Sequence, residues 1–388
     1  MNTPTVLKGI TWDHSRALPP LVATAQRFGE THPGIQIEWR KRTLHEFGHQ
    51  NVKDLARDYD LIIIDHPWAG FAVEEGILHN LRPLLPAAFL DELRTHSVGP
   101  SFPSYEYRDT LIALPIDGAT PAASYRPDLL ARAGHPVPQT WDDVLTLAKK
   151  GLVILPGFHV DQLLNFVGLC VSLGGEAFVS TEQWIDRPSA ALALEMMREL
   201  VSHVPTSLDT FNPIRVYEEL SAGEQFGYCP FAYTYSNYAR RGFAAHRLTF
   251  TDLVAIPGHG NFRSVLGGTG IAISRRCADP GPALEYARYI AGAECQSTIY
   301  VENGGQPAHR LAWLDEEANR LTGDFFRGTL RSMDEAYVRP RDNGSLAFQE
   351  AAGVPLVRYF RQGGDPTALF DEMDAIYRQS RVSPRPAA

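Results

Sequence analysis

The sequence predicts an α/β protein built from two lobes, and three observations support this prediction. The chain has 388 residues, which is long for one hydrophobic core and sufficient for two domains. Segments with strand and helix periodicity alternate along its first third, as in proteins with a largely parallel sheet. No strong linker separates two halves, so we expect lobes that are joined by several short crossing segments.

The predicted sheet begins with three strands separated by two helical segments. "TVLKGITW" and "IQIEWRKR" have strand patterns, and "YDLIIID" is a continuous apolar run, typical of a parallel strand buried on both faces. Between them, "LPPLVATAQRFGETHPG" predicts a helix with prolines in its first turn, and "LHEFGHQNVKDLAR" predicts one amphipathic helix that Gly48 weakens. This βαβαβ order indicates a parallel sheet with right-handed crossovers.

The rest of the chain carries a second alternating region and a helical tail. "TWDD" predicts a capping box in which Thr140 is the N-cap and Asp143 lies three residues later. The segment from Pro115 to Pro121 is expected to cross between the lobes. Farther on, "SVLGGTGIAIS" predicts a strand, and the chain after about residue 345 is expected to be largely helical.

The composition is that of a soluble globular protein, with 44% hydrophobic and 21% charged residues. A net charge of −9, without a run of lysine or arginine, argues against a nucleic-acid partner. No apolar stretch approaches the roughly 18 residues of a membrane helix, and the first residues lack the features of a signal peptide. The chain is therefore expected either to stay in the cytoplasm or to have a leader outside the sequence given.

Catalytic and metal motifs are missing from the sequence. GxSxG and HExxH do not occur, so no catalytic residues are predicted. The four cysteines have neither metal-ligand spacing nor a CxxC motif. We expect isolated buried thiols, with a disulfide between Cys170 and Cys229 as the alternative.

Two similar polar stretches, "TWDHSR" and "DHPW", follow the first and third predicted strands. In open α/β sheets ligands bind beyond the carboxyl ends of the strands, and in the simplest doubly wound order these two strands are neighbours. An indole packs on the apolar face of a ring, and a carboxylate accepts hydrogen bonds from hydroxyl groups. The ligand-binding residues predicted on this rim are Trp12, Asp13, His14, Asp65, His66 and Trp68.

Alternatively, Asp13 or Ser15 caps the first helix and Trp12 lies in the core. Arg16 either contacts ligand or is solvated.

Further ligand-binding candidates lie in the expected hinge and in the later part of the chain. They are Asp117, Thr120, His159, Tyr233, Tyr235, Gly268 and Thr269. Alternation places the two tyrosines on one face of a strand, and glycine permits close backbone approach to a ligand. The alternatives are an Asx-turn at Asp117 and a half-buried strand for the tyrosines. Arg126 follows Tyr125 on the next predicted strand, where an arginine could pair with a ligand carboxylate or with Asp117.

The segment "ALPIDGATPAASYRPDLLARAGHPVPQTWDDVLTLAKK" closely resembles a signature of the maltose-type, family-one extracellular solute-binding proteins of ABC transporters. "SVLGGTGIAIS" and "ALEYARYIAGAECQSTIYVENGGQPAHR" resemble later parts of that family, in the same order. The resemblance implies a periplasmic-binding-protein type II-like fold: two α/β lobes, each a mixed, mostly parallel sheet flanked by helices, with the ligand cleft between them. It also implies an N-terminal lobe of residues 1–114 and 262–325, a C-terminal lobe of residues 118–258 and 326–388, and a hinge near 115–121 and 257–262.

The same resemblance implies ligand binding by lobe closure, not catalysis. The expected ligand is a small polar organic molecule, a carbohydrate or related hydroxylated compound, and the expected partner is an ABC permease. A monomer in the periplasm or outside the cell is expected, with no metal, no cofactor and no nucleic-acid partner. Two alternatives stay open: a ferric ion held by the Asp-His pairs and the tyrosines, and a hydroxy acid or other small anion.

Overall fold

The computed structural model describes residues 5–180 and 182–382. Its strands are β1 (Thr5–Trp12), β2 (Ile35–Arg42), β3 (Leu61–Ile64), β4 (Glu106–Tyr107), β5 (Thr110–Leu111), β6 (Leu114–Ala119), β7 (Pro121–Tyr125), β8 (Tyr228–Tyr233), β9 (Thr249–Thr251), β10 (Ala255–Ile256), β11 (Gly260–Asn261) and β12 (Gly267–Ile273). Short 3₁₀ helices cover His66–Trp68, Thr206–Leu208 and Ser236–Ala239, and a π-helix covers Gln296–Tyr300.

The α-helices account for most of the remaining chain. They are α1 (Leu18–Thr31), α2 (Leu44–His49), α3 (Val52–Asp58), α4 (Ala69–Glu75), α5 (Ala87–His96), α6 (Ser101–Ser104), α7 (Pro127–Ala133), α8 (Trp141–Lys149), α9 (His159–Ser172), α10 (Arg187–Ser202), α11 (Pro213–Ala222), α12 (Pro280–Ala291), α13 (Ala293–Cys295), α14 (Arg310–Leu314), α15 (Glu316–Thr322), α16 (Phe325–Gly328), α17 (Leu330–Asp334), α18 (Ser345–Gln362) and α19 (Pro366–Val382). None of the helices in the described chain is long and apolar enough to cross a membrane.

The chain divides into two compact units. Unit 1 consists of Met1–Ala119, Tyr235–Asn237 and Gly267–Asp334, and unit 2 consists of Thr120–Thr234, Tyr238–Leu266 and Glu335–Ala388. These ranges differ from the predicted lobes in four short segments. Residues 118–119, Tyr235–Asn237 and residues 326–334 fall in unit 1, and residues 262–266 fall in unit 2. The placement of Tyr235–Asn237 follows from long-range bonds within unit 1: the Ser236 amide donates to the Gln306 side chain, and Asn237 donates to the Gly304 carbonyl.

The sheet of unit 1 has the strand order β2-β1-β3-β12-β6. β1 is parallel to both β2 and β3, which confirms that the first and third predicted strands are neighbours. β12 runs antiparallel to β3 and β6, so the sheet is mixed. β3 is fully buried, as a continuous apolar run predicts, because helices cover both faces of such a sheet.

The helices of unit 1 begin largely where the sequence predicts. α1 starts with prolines in its first turn. The single helix predicted over residues 44–57 is wrong, because the chain forms two helices there. Gln50 and Asn51 are extended, and the Asn51 side chain accepts from the Lys53 amide to start α3. Because Asn51 caps a new helix, the preceding helix ends before it. Gly48 alone would only weaken a continuous helix.

Unit 2 has a sheet of order β8-β7-β9, and helix α11 packs on β8. Helices α9, α10 and α18 pack on one another. β7 is antiparallel to both of its neighbours, and Val153 bridges Tyr228 of β8 in parallel. β8, β9 and the segment at Val153 therefore share one direction. The capping box at the start of α8 is confirmed: Thr140 accepts from the Asp143 amide, and the Asp143 carboxylate accepts from the Thr140 amide.

The four cysteines are buried free thiols. Both Cys170 and Cys229 lie in unit 2, without a disulfide between them, so the disulfide alternative is wrong. Burial raises the pKa of the Cys229 thiol to about 12 and that of Cys277 to about 11, as expected for inert thiols in an apolar interior.

Candidate ligand-binding site

One edge of the unit 1 sheet brings together four predicted residues. Because β12 is antiparallel, its first residues lie at the same edge as the carboxyl ends of β1, β3 and β6. Thr269 pairs with Asp117, and the pairing of Gly270 with Ile64 places Thr269 opposite Asp65. The parallel register of β1 and β3 places Asp13 beside Asp65. We call the row Asp13, Asp65, Thr269 and Asp117 the rim of unit 1.

The end of β1 holds Trp12 and Asp13 in different surroundings. Trp12 is only 4% exposed, and its ring packs on Phe47 with centroids 4.9 Å apart. This placement agrees with the core alternative. Asp13 is exposed, and its carboxylate lies 2.9 Å from Lys41 Nζ. The cap alternative for Asp13 and Ser15 is wrong, because α1 has no side-chain cap; its first amides bond to the His14 carbonyl.

The end of β3 separates Asp65, His66 and Trp68 in a similar way. Asp65 is half-buried and caps the following 3₁₀ helix, accepting from the His66 amide at 2.8 Å. His66 is fully buried, whereas Trp68 is half-buried with its ring 5.5 Å from that of Phe71. Trp68 is therefore the more accessible indole of the two that the sequence singled out.

A buried ion pair supports the far end of the rim. Arg16 Nε donates to Asp117 Oδ2 at 2.8 Å, and a second guanidinium nitrogen donates to Oδ1. Arg16 is 4% exposed and Asp117 is 1% exposed. Burial opposes the charged form of Arg16, but the adjacent Asp117 carboxylate outweighs it and keeps the pKa of Arg16 above its ordinary value. Burial raises the pKa of Asp117, and Arg16 counteracts that rise.

This pair settles two of the sequence alternatives. Arg16 is not a solvated side chain, and Arg126 does not pair with Asp117. Arg126 instead bonds to Asp128 at 2.7 Å and donates to backbone carbonyls at the end of α11. Arg16 neutralises the carboxylate charge of Asp117 within the protein. A ligand that needs a carboxylate of the rim would therefore bind to the other acidic residues of the rim.

His14 and Tyr235 meet beside this pair. Their ring centroids are 4.6 Å apart, edge to face, and the Arg16 guanidinium lies 4.9 Å from the Tyr235 ring. Tyr235 therefore lies in unit 1, apart from Tyr233 in unit 2. His14 Nδ1 accepts from the Arg16 amide at 2.9 Å, which assigns the ring proton to Nε2. Burial, helped by Arg16, lowers the pKa of His14 to about 4, so the ring is neutral at pH 7.

Gly268 and Thr269 provide the centre of the rim. Gly268 has φ of +92°, and an added Cβ would lie 2.2 Å from the Asp117 carbonyl oxygen. Only glycine fits such a position without strain. Thr269 is 5% exposed, and its hydroxyl has no hydrogen-bond partner within the described chain. A buried hydroxyl without a partner is costly, so a water or ligand oxygen is expected beside it.

Three predicted residues lie in unit 2. Thr120 bonds to the Ser264 hydroxyl and donates to the Val265 carbonyl at 3.3 Å. His159 Nε2 lies 2.9 Å from a Glu350 carboxylate oxygen, and Tyr233 is half-buried at the end of β8.

The sequence analysis missed Asp161, in the first turn of α9. Its carboxylate is partly exposed and has no hydrogen-bond or ion-pair partner among the described residues. Burial raises its pKa to about 7. Its position at the start of a helix two residues after His159 was the available signal, but many acidic residues occupy first turns for the helix dipole alone.

Arg42 is the second missed residue, and it ends β2 at the same sheet edge as the rim. It is 7% exposed and donates to the Ile63 carbonyl at 3.3 Å. No carboxylate of the described residues lies within ion-pair distance. Burial lowers its pKa to about 10, which is still well above neutral pH. Its place opposite Trp12 in the β1–β2 register was visible only once the pairing was known.

The metal alternative gains no support from the described residues. Among them, no group of three histidine, cysteine, aspartate or glutamate side chains is close enough to hold an ion. His14 meets Tyr235 and Arg16, and His66 meets Asp65. Among the described residues, neither histidine belongs to a cluster of side chains that could hold a metal ion.

Comparisons with known proteins agree with the fold. The family model for bacterial extracellular solute-binding proteins matches residues 11–201. A probable ABC transporter-binding protein of Deinococcus radiodurans is 26% identical over 340 residues, which cover 82% of this chain and 78% of that protein. The maltose-bound MalE3 of T. maritima has a TM-score of 0.80 at 17% identity, covering 96% of this chain and 99% of that one. A solute-binding protein of Agrobacterium vitis with bound D-mannitol has a TM-score of 0.77 at 16% identity, covering 97% and 98%. At these identities the structural matches establish the two-lobed α/β fold.

Proposed function

We propose that the chain is a solute-binding protein of an ABC transporter, not an enzyme, and that it binds a small neutral polyhydroxylated molecule for import. The match of residues 11–201 to the family model for bacterial extracellular solute-binding proteins supports this proposal, as does the similarity to an ABC transporter-binding protein. The ligand class is a carbohydrate or polyol. The observation that supports this proposal most strongly is the rim of unit 1, where three carboxylates and a hydroxyl lie along one sheet edge.

The rim offers complementary groups to such a ligand. Asp13 and Asp65 accept hydrogen bonds from ligand hydroxyls, and bonds to a charged acceptor are the stronger ones. The neutral His14 ring donates from Nε2 to a ligand oxygen. Trp68 packs on the apolar face of a sugar ring or on the carbon chain of a polyol. These residues supply both acceptors and donors, as each ligand hydroxyl needs.

Proteins of the same fold support the ligand class. The T. maritima protein binds maltose and the Agrobacterium vitis protein binds D-mannitol, and both compounds are neutral and rich in hydroxyl groups. An ABC permease is the proposed partner, and the periplasm or cell exterior is the proposed location. Capture by lobe closure and a monomeric state stay predictions of the family resemblance.

A panel of sugars and polyols tests the proposal on the full chain. A ligand that binds only the native state raises the midpoint of thermal unfolding, and calorimetry then gives the dissociation constant. We expect His14→Ala and Asp65→Asn each to weaken binding about tenfold, because each removes one strong hydrogen bond. Asn at position 65 can still cap the following helix, so the fold is retained.

Asp91→Asn is the matched control. Asp91 lies on α5 of the same unit, is exposed and paired with Arg94, and is not a residue of the rim. Binding equal to that of the original chain is expected for this variant. The rim assignment fails if His14→Ala and Asp65→Asn bind as tightly as the control, and the ligand class fails if no compound of the panel binds.

A hydroxylated acid is the second candidate ligand, and Arg42 is the observation that favours it. Arg16 is neutralised by Asp117, whereas Arg42 has no carboxylate within ion-pair distance among the described residues. A ligand carboxylate would complete its hydrogen bonding. Gluconate compared with sorbitol distinguishes the two classes: preference for gluconate that Arg42→Gln abolishes supports the acid, and binding of sorbitol alone excludes it.

A further inference from the structure

A basic cavity lies at the edge of the unit 1 sheet opposite to the rim. Its volume is about 320 Å³, at the lower end of the roughly 300–1,000 Å³ typical of small-ligand sites. The charged side chains that line it are Lys53, Arg57, Glu75, Arg275 and Arg276. Such a concentration of positive charge is unexpected in a chain whose net charge is −9.

The positive charge of this cavity is only partly neutralised within the protein. Lys53 Nζ lies 2.8 Å from a Glu75 carboxylate oxygen, and Arg57 pairs with Asp54 on the same helix. Arg275 and Arg276 make no ion pair with any of the described residues. Each guanidinium presents a planar set of donors that matches the oxygens of an oxyanion.

The cavity is held together by bonds between the three segments that line it. The Ser274 hydroxyl donates to the Ala56 carbonyl of α3 at 2.6 Å and accepts from the Arg276 amide at 3.0 Å. The Arg275 amide donates to the Ile77 carbonyl, just after α4, at 2.9 Å. The turn that carries both arginines is therefore fixed before any ligand arrives, and such preorganisation favours binding.

The strand order separates this cavity from the rim. Ile273 pairs with Leu61 at the start of β3, whereas Gly270 pairs with Ile64 at its end. Arg275 and Arg276, which follow β12, therefore lie beyond the amino end of β3. We propose that the basic cavity binds an oxyanion of the phosphate type, either free phosphate or the phosphate of a lipid headgroup. Binding there does not compete with a solute at the rim.

Two binding measurements on the full chain test this proposal. Calorimetry at low ionic strength measures binding of inorganic phosphate, and co-sedimentation measures binding to phosphatidylglycerol vesicles, with phosphatidylcholine vesicles as the neutral comparison. Arg275→Gln and Arg276→Gln each remove one guanidinium. Arg40→Gln removes the same charge from an exposed position on β2, away from the cavity, and is the matched control.

We expect each cavity variant to weaken binding about tenfold, and the control to change it less than about twofold, because a charged hydrogen bond contributes far more than long-range charge. Phosphate binding identifies a free oxyanion as sufficient, and binding only to phosphatidylglycerol identifies the lipid headgroup. Lack of binding in both measurements overturns the proposal, as does a control that weakens binding as much as the cavity variants. Circular dichroism verifies folding, and Arg57→Gln replaces any cavity variant that unfolds.

Discussion

Breaking the buried pair of Arg16 and Asp117 tests whether the rim rests on a rigid support. Asp117→Asn keeps the shape of the side chain but removes its charge, and Arg16 then stays charged in a buried site because arginine does not deprotonate. Both side chains are at least 95% buried and joined by two hydrogen bonds. Removing one partner from such a pair costs about 3–5 kcal/mol.

A double-mutant cycle separates this cost from the general effect of substitution. Arg16→Met replaces the guanidinium by an apolar chain of similar length, and the variant carrying both changes leaves no buried charge. We expect the double variant to be more stable than Asp117→Asn alone, with a coupling energy of at least about 2 kcal/mol. Urea unfolding followed by tryptophan fluorescence gives these free energies. A cost below about 1 kcal/mol for Asp117→Asn, or additive effects in the double variant, would refute the reasoning.

Three further predictions concern single sites. The pKa of His14 falls from 6.5 to about 4 on folding, so the stability that the neutral ring contributes is complete above pH 6.5 and is lost as the pH falls through 4. His14→Gln should therefore reduce the acid-induced loss of the unfolding free energy by up to about 3 kcal/mol. Gly268→Ala should cost at least about 2 kcal/mol in urea unfolding because of its positive φ and close contact, whereas Gly281→Ala, whose nearest neighbour is 3.5 Å away, should be neutral. Thr140→Ala should lower the unfolding free energy by about 1 kcal/mol through loss of the capping box, and an unchanged midpoint would contradict that assignment.

The fold of unit 1 was largely predictable because its strands have local signatures. β1 and β2 begin and end where the apolar alternation predicts, and the neighbouring placement of β1 and β3 followed from the βαβαβ order. The exception, the break between α2 and α3, depends on Asn51, whose capping role competes with the helical pattern around it. Local sequence preferences were sufficient to predict most strands and helices of unit 1. They were ambiguous where two preferences competed in the same segment.

The candidate site was less predictable because its contacts join distant parts of the chain. Arg16 and Asp117 are 101 residues apart, and nothing in either segment indicates the other as partner. Tyr235 reaches His14 because its short segment lies in unit 1, which strand alternation does not reveal. Periodicity predicted that the ends of β1 and β3 share one sheet edge, but it did not show which side chains at that edge are buried, such as Trp12.

The antiparallel strand β12 gives both proposed sites of unit 1 their positions. If β12 were parallel to β3, its first residues would lie at the amino edge, and Thr269 could not stand between Asp65 and Asp117. The same reversal carries the arginines that follow the strand to the opposite edge, where the turn at Ser274 bonds to α3. A single strand direction therefore places a hydroxyl among carboxylates at one edge and two guanidinium groups at the other. The two proposed ligands, of opposite chemistry, would then not compete, because the buried strand β3 lies between the two edges.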